Sequence, residues 1–179
     1  LEQEIAGHII RLSAMIEELA AVSERPQQIA CIALLLCYVK RRCNLFFRER
    51  ETKAVPAAEL TAYIDELAEM AVYADVNILV TSEIKAPLAV RQATLFYDFF
   101  YTVIDWAAQQ GCPYMLAHLG PEKDLITLRL LPSYDARSFK PAPEPEAAIR
   151  AAGGLWAIKD LDGAVGISLA FPKGGECGD

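Results

Sequence analysis

Apolar residues recur through residues 3–22 at Ile5, Ile9, Leu12, Ile16 and Leu19, spaced four, three, four and three. A second run through residues 28–48 places Ile29, Ile32, Leu36, Val39, Cys43 and Phe46 at alternating spacings of three and four. These are heptad seams, which pack helices side by side at a shallow angle. Between them, Ser23 is a good N-cap and Pro26 suits a first helical turn. A short connection between two long helices predicts an antiparallel hairpin. Two helices cannot bury such a seam alone, and Ala30, Ala33, Leu34 and Leu35 widen it. The pattern predicts a homodimer through residues 3–50, with two hairpins forming a four-helix bundle. The alternative is a hairpin folded back on the rest of its own chain. Lys40-Arg41-Arg42 and Arg48-Glu49-Arg50-Glu51 read as a solvated face and a helix end, where cations suit the C-terminal dipole.

Thr52 to Pro56 breaks the helical pattern and divides the chain into 1–52 and 53–179. Beyond it, Leu60, Ile64, Leu67 and Ala71 mark one face of a helix over about 57–73. Val76 to Ser82 reads as a strand. Pro87 opens a long helix to about Gln110, rich in aromatics: Phe96, Tyr97, Phe99, Phe100, Tyr101 and Trp106. Gly111 ends it. Tyr114–His118 and Leu125–Leu131 read as strands joined by a turn through Gly120, Pro121 and Asp124. Lys140 to Pro145 reads as a stiff extended loop. A short helix then stops at Gly153-Gly154, and two strands, Leu155–Lys159 and Val165–Phe171, flank an Asp162-Gly163 hairpin turn before Pro172. The order of elements predicts an α+β, two-layer sandwich.

Composition narrows the classes. Just over half of the 179 residues are apolar, enough for a real core. The net charge of −7 argues against a nucleic-acid partner, which needs a basic stripe. The five cysteines include no C-x-x-C pair, so core thiols of a reduced protein are expected rather than zinc ligands or a disulfide framework. The longest apolar run, Ile29 to Val39, is too short to span a bilayer. A cytoplasmic location is expected, and the chain opens inside a helical pattern, as a fragment of a longer protein would.

The stretch from Ala147 to Pro172, with its Gly153-Gly154 helix stop and closing strand pair, resembles the C-terminal end of the GHKL ATP-binding domain of sensor histidine kinases. The element order along nearly the whole chain, with a heptad hairpin upstream, is similar to the core of those kinases. The resemblance implies a dimerising hairpin followed by a GHKL/Bergerat-type sandwich, with ATP and Mg as cofactors and a response regulator or partner kinase as interaction partner. It also allows a motif-by-motif comparison. The His-Asp-x-x-Gly-His motif matches Gln3-Glu4-Ile5-Ala6-Gly7-His8, so an amide stands at the acceptor position and His8 is the remaining candidate phosphoacceptor. The Glu-x-x-x-Asn-x-x-x-His/Lys-Ala pattern matches Asp98, Thr102, Trp106 and Ala107. Thr102 is a poorer ligand for a hard cation than an Asn amide oxygen. The Asp-x-Gly-x-Gly box matches Asp135, but Ala136 and Arg137 follow it where flexible glycine is needed. A proline-stiffened stretch replaces the Gly-rich lid.

Asp98, Thr102 and Asp135 are therefore the positions of a degenerate ATP pocket, and no catalytic residue is assigned. The expected function is a signalling module acting by dimerisation and protein–protein contact, a pseudokinase with lost or weakened ATP binding. The alternatives are an active kinase with an atypical pocket, and a module holding a small ligand at the former ATP site through Tyr97, Tyr101 and Trp106.

Overall fold

A computed structural model describes the backbone of residues 2–21, 26–161 and 164–173, and the side chains of residues 6–17, 29–160 and 164–173. The expected Ser23 cap, the Asp162-Gly163 turn and the side chains of Gln3, Ile5 and Leu19 lie outside the described residues.

Two helices open the chain, α1 (Glu2–Ala21) and α2 (Pro26–Glu51). A two-residue strand β1 (Ala54–Val55) leads into α3 (Ala57–Ala71). Strand β2 (Asn77–Ser82), a short β3 (Leu88–Ala89) and α4 (Val90–Gln109) follow. Then come β4 (Tyr114–Glu122), β5 (Leu125–Pro132), α5 (Pro143–Ala151), β6 (Leu155–Leu161) and β7 (Ala164–Pro172). The predicted α+β order holds. The paired β1 and β3 were not expected, and they delay the start of α4 to Val90, three residues past Pro87.

The main sheet has the order β2-β4-β5-β7-β6. Only β2–β4 is parallel, with Asn77 opposite Tyr114, while the other three pairs are antiparallel. β4 and β5 run on to Glu122 and Leu125, so the turn is Lys123-Asp124 and not the Gly120-Pro121 region. Pro121 is tolerated in the ladder because β2 stops beside Leu119 and no longer needs a donor there. Alternation along the strands sends Met115, Ala117 and Leu119, Leu128 and Leu130, and Ile167, Leu169 and Phe171 to one buried face. Leu79, Tyr114, Leu116 and Leu155 stand on the other, exposed face.

The buried face meets α3 and α4. Leu60, Ile64 and Leu67 of α3 and Phe96, Phe100, Val103 and Ile104 of α4 are almost fully buried. Phe96 meets Phe171 edge to face at 5.0 Å. α2 then packs on the far side of α3 and α4, so α4 is enclosed from two sides. This explains its aromatic, nearly all-round apolar sequence: thirteen of its twenty residues are buried.

Helix α5 begins within the expected loop, with Pro143 and Pro145 in its first turn. It ends as predicted. Gly153 takes φ of 73°, its N–H donates to Arg150 O, and the Gly154 N–H donates to Ile149 O. That pair of bonds is a Schellman stop. A side chain at Gly154 would overlap the Phe171 ring.

The hairpin divides its apolar residues between two surroundings. Leu34, Leu35, Tyr38 and Leu45 are buried against the sandwich. Ile9, Ile16, Ile29, Leu36 and Phe47 remain exposed. The hairpin thus does fold onto its own chain, yet it keeps an uncovered apolar stripe. The basic cluster is a solvated face only in part, with Lys40 exposed and Arg42 buried. Lys40 and Arg41 of α2 both bond Glu66 of α3, and Arg42 is buried against α4.

Candidate functional site

A cleft of about 840 Å³ lies between the hairpin, α4 and the start of α5. His8, Arg42, Asp98, Tyr101, Thr102 and Asp105 are among the residues lining it. Three of the sequence-derived positions, His8, Asp98 and Thr102, therefore meet at one place. The other side of the cleft is the Pro141–Ile149 stretch.

Asp98 lines the cleft with its carboxylate already engaged, its side chain 17% exposed. Its carboxylate accepts from Tyr38 Oη at 2.8 Å and from Arg42 Nε, which lies 2.9 Å from Oδ1 and 3.1 Å from Oδ2. Thr102 Oγ1 donates to the Asp98 carbonyl at 2.8 Å, the usual back-bond of a helical threonine. His8 is half-buried, edge-on to the Tyr38 ring at 5.1 Å and to Tyr101 at 6.5 Å. Tyr38 stacks on Tyr101 at 4.0 Å with a 16° tilt. Burial, aided by the nearby Asp105 charge, pushes the Tyr101 phenol well above its usual range, so it stays neutral. Arg11 bonds both oxygens of Asp105 at 3.2 Å.

Asp135 is elsewhere. It caps a short 3-10 turn, accepting from the Arg137 N–H at 3.0 Å, and pairs with the Arg137 guanidinium, which also reaches Asp160. Between this turn and α4 the space is occupied by rings. Phe139 sits 5.8 Å from Phe99, 5.6 Å from Trp106 and 6.0 Å from Trp156, all edge to face, and Trp106 meets Tyr134 at 6.1 Å. Phe139 is 3% exposed. Of Tyr97, Tyr101 and Trp106, only Tyr101 lines the cleft; Tyr97 is wholly buried and Trp106 belongs to the ring cluster.

Sequence reasoning gave no site role to Tyr38, Arg11 or Asp105, and placed Arg42 on a solvated face. A signal for Tyr38 and Arg42 existed. Arg42 lies eight residues from Leu34, four from Tyr38 and three from Leu45, on the core face of its helix, and a charge there needs a partner. The described cysteines are free thiols, with Cys37 and Cys112 buried. Among the described residues no cluster of His, Cys, Asp or Glu is placed to hold a metal ion, and no helix is long and apolar enough to cross a membrane.

No protein-family model and no curated protein matches the chain. Solved structures do. A blue-light activated histidine kinase of Erythrobacter litoralis superposes with a TM-score of 0.55 at 12% identity, over 77% of this chain and 53% of that one. The chain thus spans about half the length of that protein. The histidine kinase domain of the same protein matches over 94% of this chain and 85% of its own, with a TM-score of 0.55 and 11% identity. The catalytic domain of histidine kinase ThkA gives 0.51 at 10% identity, over 67% and 94% of the two chains. A bacterial phosphotransferase gives 0.51 at 10% identity, over 93% and 90%. The chain therefore has the fold of a sensor histidine kinase core, a helical hairpin followed by a GHKL-type sandwich.

Proposed function

We propose that this chain is a histidine-kinase-like signalling module that has given up ATP binding and acts as a dimeric scaffold. The division at residue 52 separates a dimerising hairpin from an ATP-binding-like sandwich. The carrying observation is the ring cluster of Phe99, Trp106, Tyr134, Phe139 and Trp156, which fills the space between α4 and the Asp135 turn. A purine would have to enter there. Asp98 and Thr102 add support: the carboxylate is engaged by Arg42 and Tyr38, and the hydroxyl by its own helix. Neither presents a ready magnesium ligand, and Asp135 does not join them. No phosphoryl-transfer step is assigned to these residues.

The exposed stripe of Ile9, Ile16, Ile29, Leu36 and Phe47 supports dimerisation of the hairpin. A response regulator or a partner kinase fits as the recipient of the signal, because neighbours of this fold are kinases and a phosphotransferase. A cytoplasmic setting, free or tethered to a sensor, fits the same reading.

Isothermal titration with ATP and magnesium tests it. The expected trace is flat, and a micromolar Kd would overturn the loss of the pocket. The cleft of about 840 Å³ favours one second reading, a small ligand held beside Tyr101 and His8. A thermal-shift screen that finds a stabilising compound, with the gain removed by Tyr101→Ala, would establish that reading in place of an empty scaffold.

A further inference from the structure

We infer that Asp98 has become a latch: it locks the hairpin to the sandwich in one register, so that the two move as a single rigid body. The geometry makes the pair unusual among the ionic contacts of the described residues. Arg42 comes from the hairpin and Asp98 from the sandwich, and their side chains are only 5% and 17% exposed. Tyr38 adds a second, neutral donor to the same carboxylate at 2.8 Å. A surface pair such as Arg11–Asp105, with 45% and 25% exposure, holds little against solvent and salt. A buried pair differs, because separating its members leaves each charge desolvated and uncompensated.

Direction matters as much as strength. The apolar part of the contact, Leu34, Leu35, Leu45 and the stacked Tyr38 and Tyr101, tolerates a slide along the helix axis. The bonds to Asp98 do not. α2 crosses α4 antiparallel, with Arg42 beside Asp98 and Tyr38 beside Tyr101. A slip of one turn would strand the carboxylate in an apolar contact. A buried polar pair that fixes register is the best-attested use of such groups. Asp98 is in this view a positioning residue, and the latch holds whether or not the cleft takes a ligand or the chain binds ATP.

The test uses the full chain in urea with two probes. Trp106 and Trp156 fluorescence follows the sandwich, while far-UV circular dichroism also includes α1 and α2, which hold about half of the α-helical residues. The unaltered protein is expected to give coincident transitions. Asp98→Asn is expected to move the dichroism transition ahead of the fluorescence one, and to speed hydrogen exchange across residues 34–45 while sheet amides keep their protection. The charge exchange Arg42→Asp with Asp98→Arg is expected to restore coincidence. Coincident transitions in Asp98→Asn, with unchanged exchange over 34–45, would overturn the latch. If Asp98→Asn does not fold, native-state exchange of the unaltered protein decides. A shared opening of α2 and α4 supports the latch, and α2 opening ahead of α4 overturns it.

Discussion

Glu66 shows how single residues tie the hairpin down and how that can be measured. Its hydrogen bond from Arg41, helped by Lys40, holds the carboxyl below the usual glutamate range against a smaller opposing effect of burial. In the unfolded chain the same group takes up its proton near the ordinary value of about 4.3. The folded form thus gains stability that is complete above that value and is lost as pH falls through the lower, folded pKa. Urea midpoints taken from about pH 6 to about pH 3 should fall less steeply in Glu66→Gln than in the unaltered protein. Phe139 offers a second residue-scale test. Its ring touches Phe99, Trp106 and Trp156, so Phe139→Ala should cost about 3–5 kcal/mol in urea unfolding. The cavity left is lined by rings and lacks flexible glycines at Ala136 and Arg137, so the variant should still give a flat titration with ATP. Single residues were the least legible level of this sequence. Asp98 reads as a degenerate ATP-pocket position, and the Arg42 and Tyr38 that engage it lie 56 and 60 residues away, beyond any local pattern. Asp135 matched its motif by order along the chain, yet its neighbour Arg137 turns it toward Asp160.

Elements were far more legible, because their causes are local. The Gly153-Gly154 stop, the aromatic α4 and the strand pairs all follow from spacing and turn chemistry near each other in the chain. The errors have equally local reasons. Gly120 and Pro121 look like a turn, but they continue β4 where no third strand runs beside them. Pro143 and Pro145 look like a stiff loop, but proline is welcome in the first turn of a helix. The heptad seams predicted helices correctly and left their partner open. α2 uses one face for the sandwich, through Leu34, Leu35 and Tyr38, and exposes another at Ile29, Leu36 and Phe47. That division makes an element-scale prediction. Leu36 is 51% exposed, so Leu36→Glu should hardly alter the unfolding of a single chain. It should nonetheless shift the mass measured by light scattering from two chains to one at micromolar concentration. An unchanged dimer mass would place the interface elsewhere.

The whole molecule is a stack: an open-faced sheet, a layer of α3 and α4, and the hairpin laid across that layer. The overall architecture was legible from the order of the elements and from the Ala147–Pro172 stretch, because each of those elements is set by local spacing and turn chemistry. The sheet contains one parallel pair, β2 beside β4, with the whole of α4 lying between them in sequence. That crossover has a consequence for assembly on the ribosome. The β4–β5 and β6–β7 pairs can zip up locally as each second strand emerges, whereas β2 is synthesised early and must wait for α4 and β4 before it has anything to pair with. During that interval the β2 backbone and the side chains of Ile78 and Val80 are unprotected, and the nascent chain is at its most vulnerable to chaperone capture or to strand exchange with a neighbouring polypeptide.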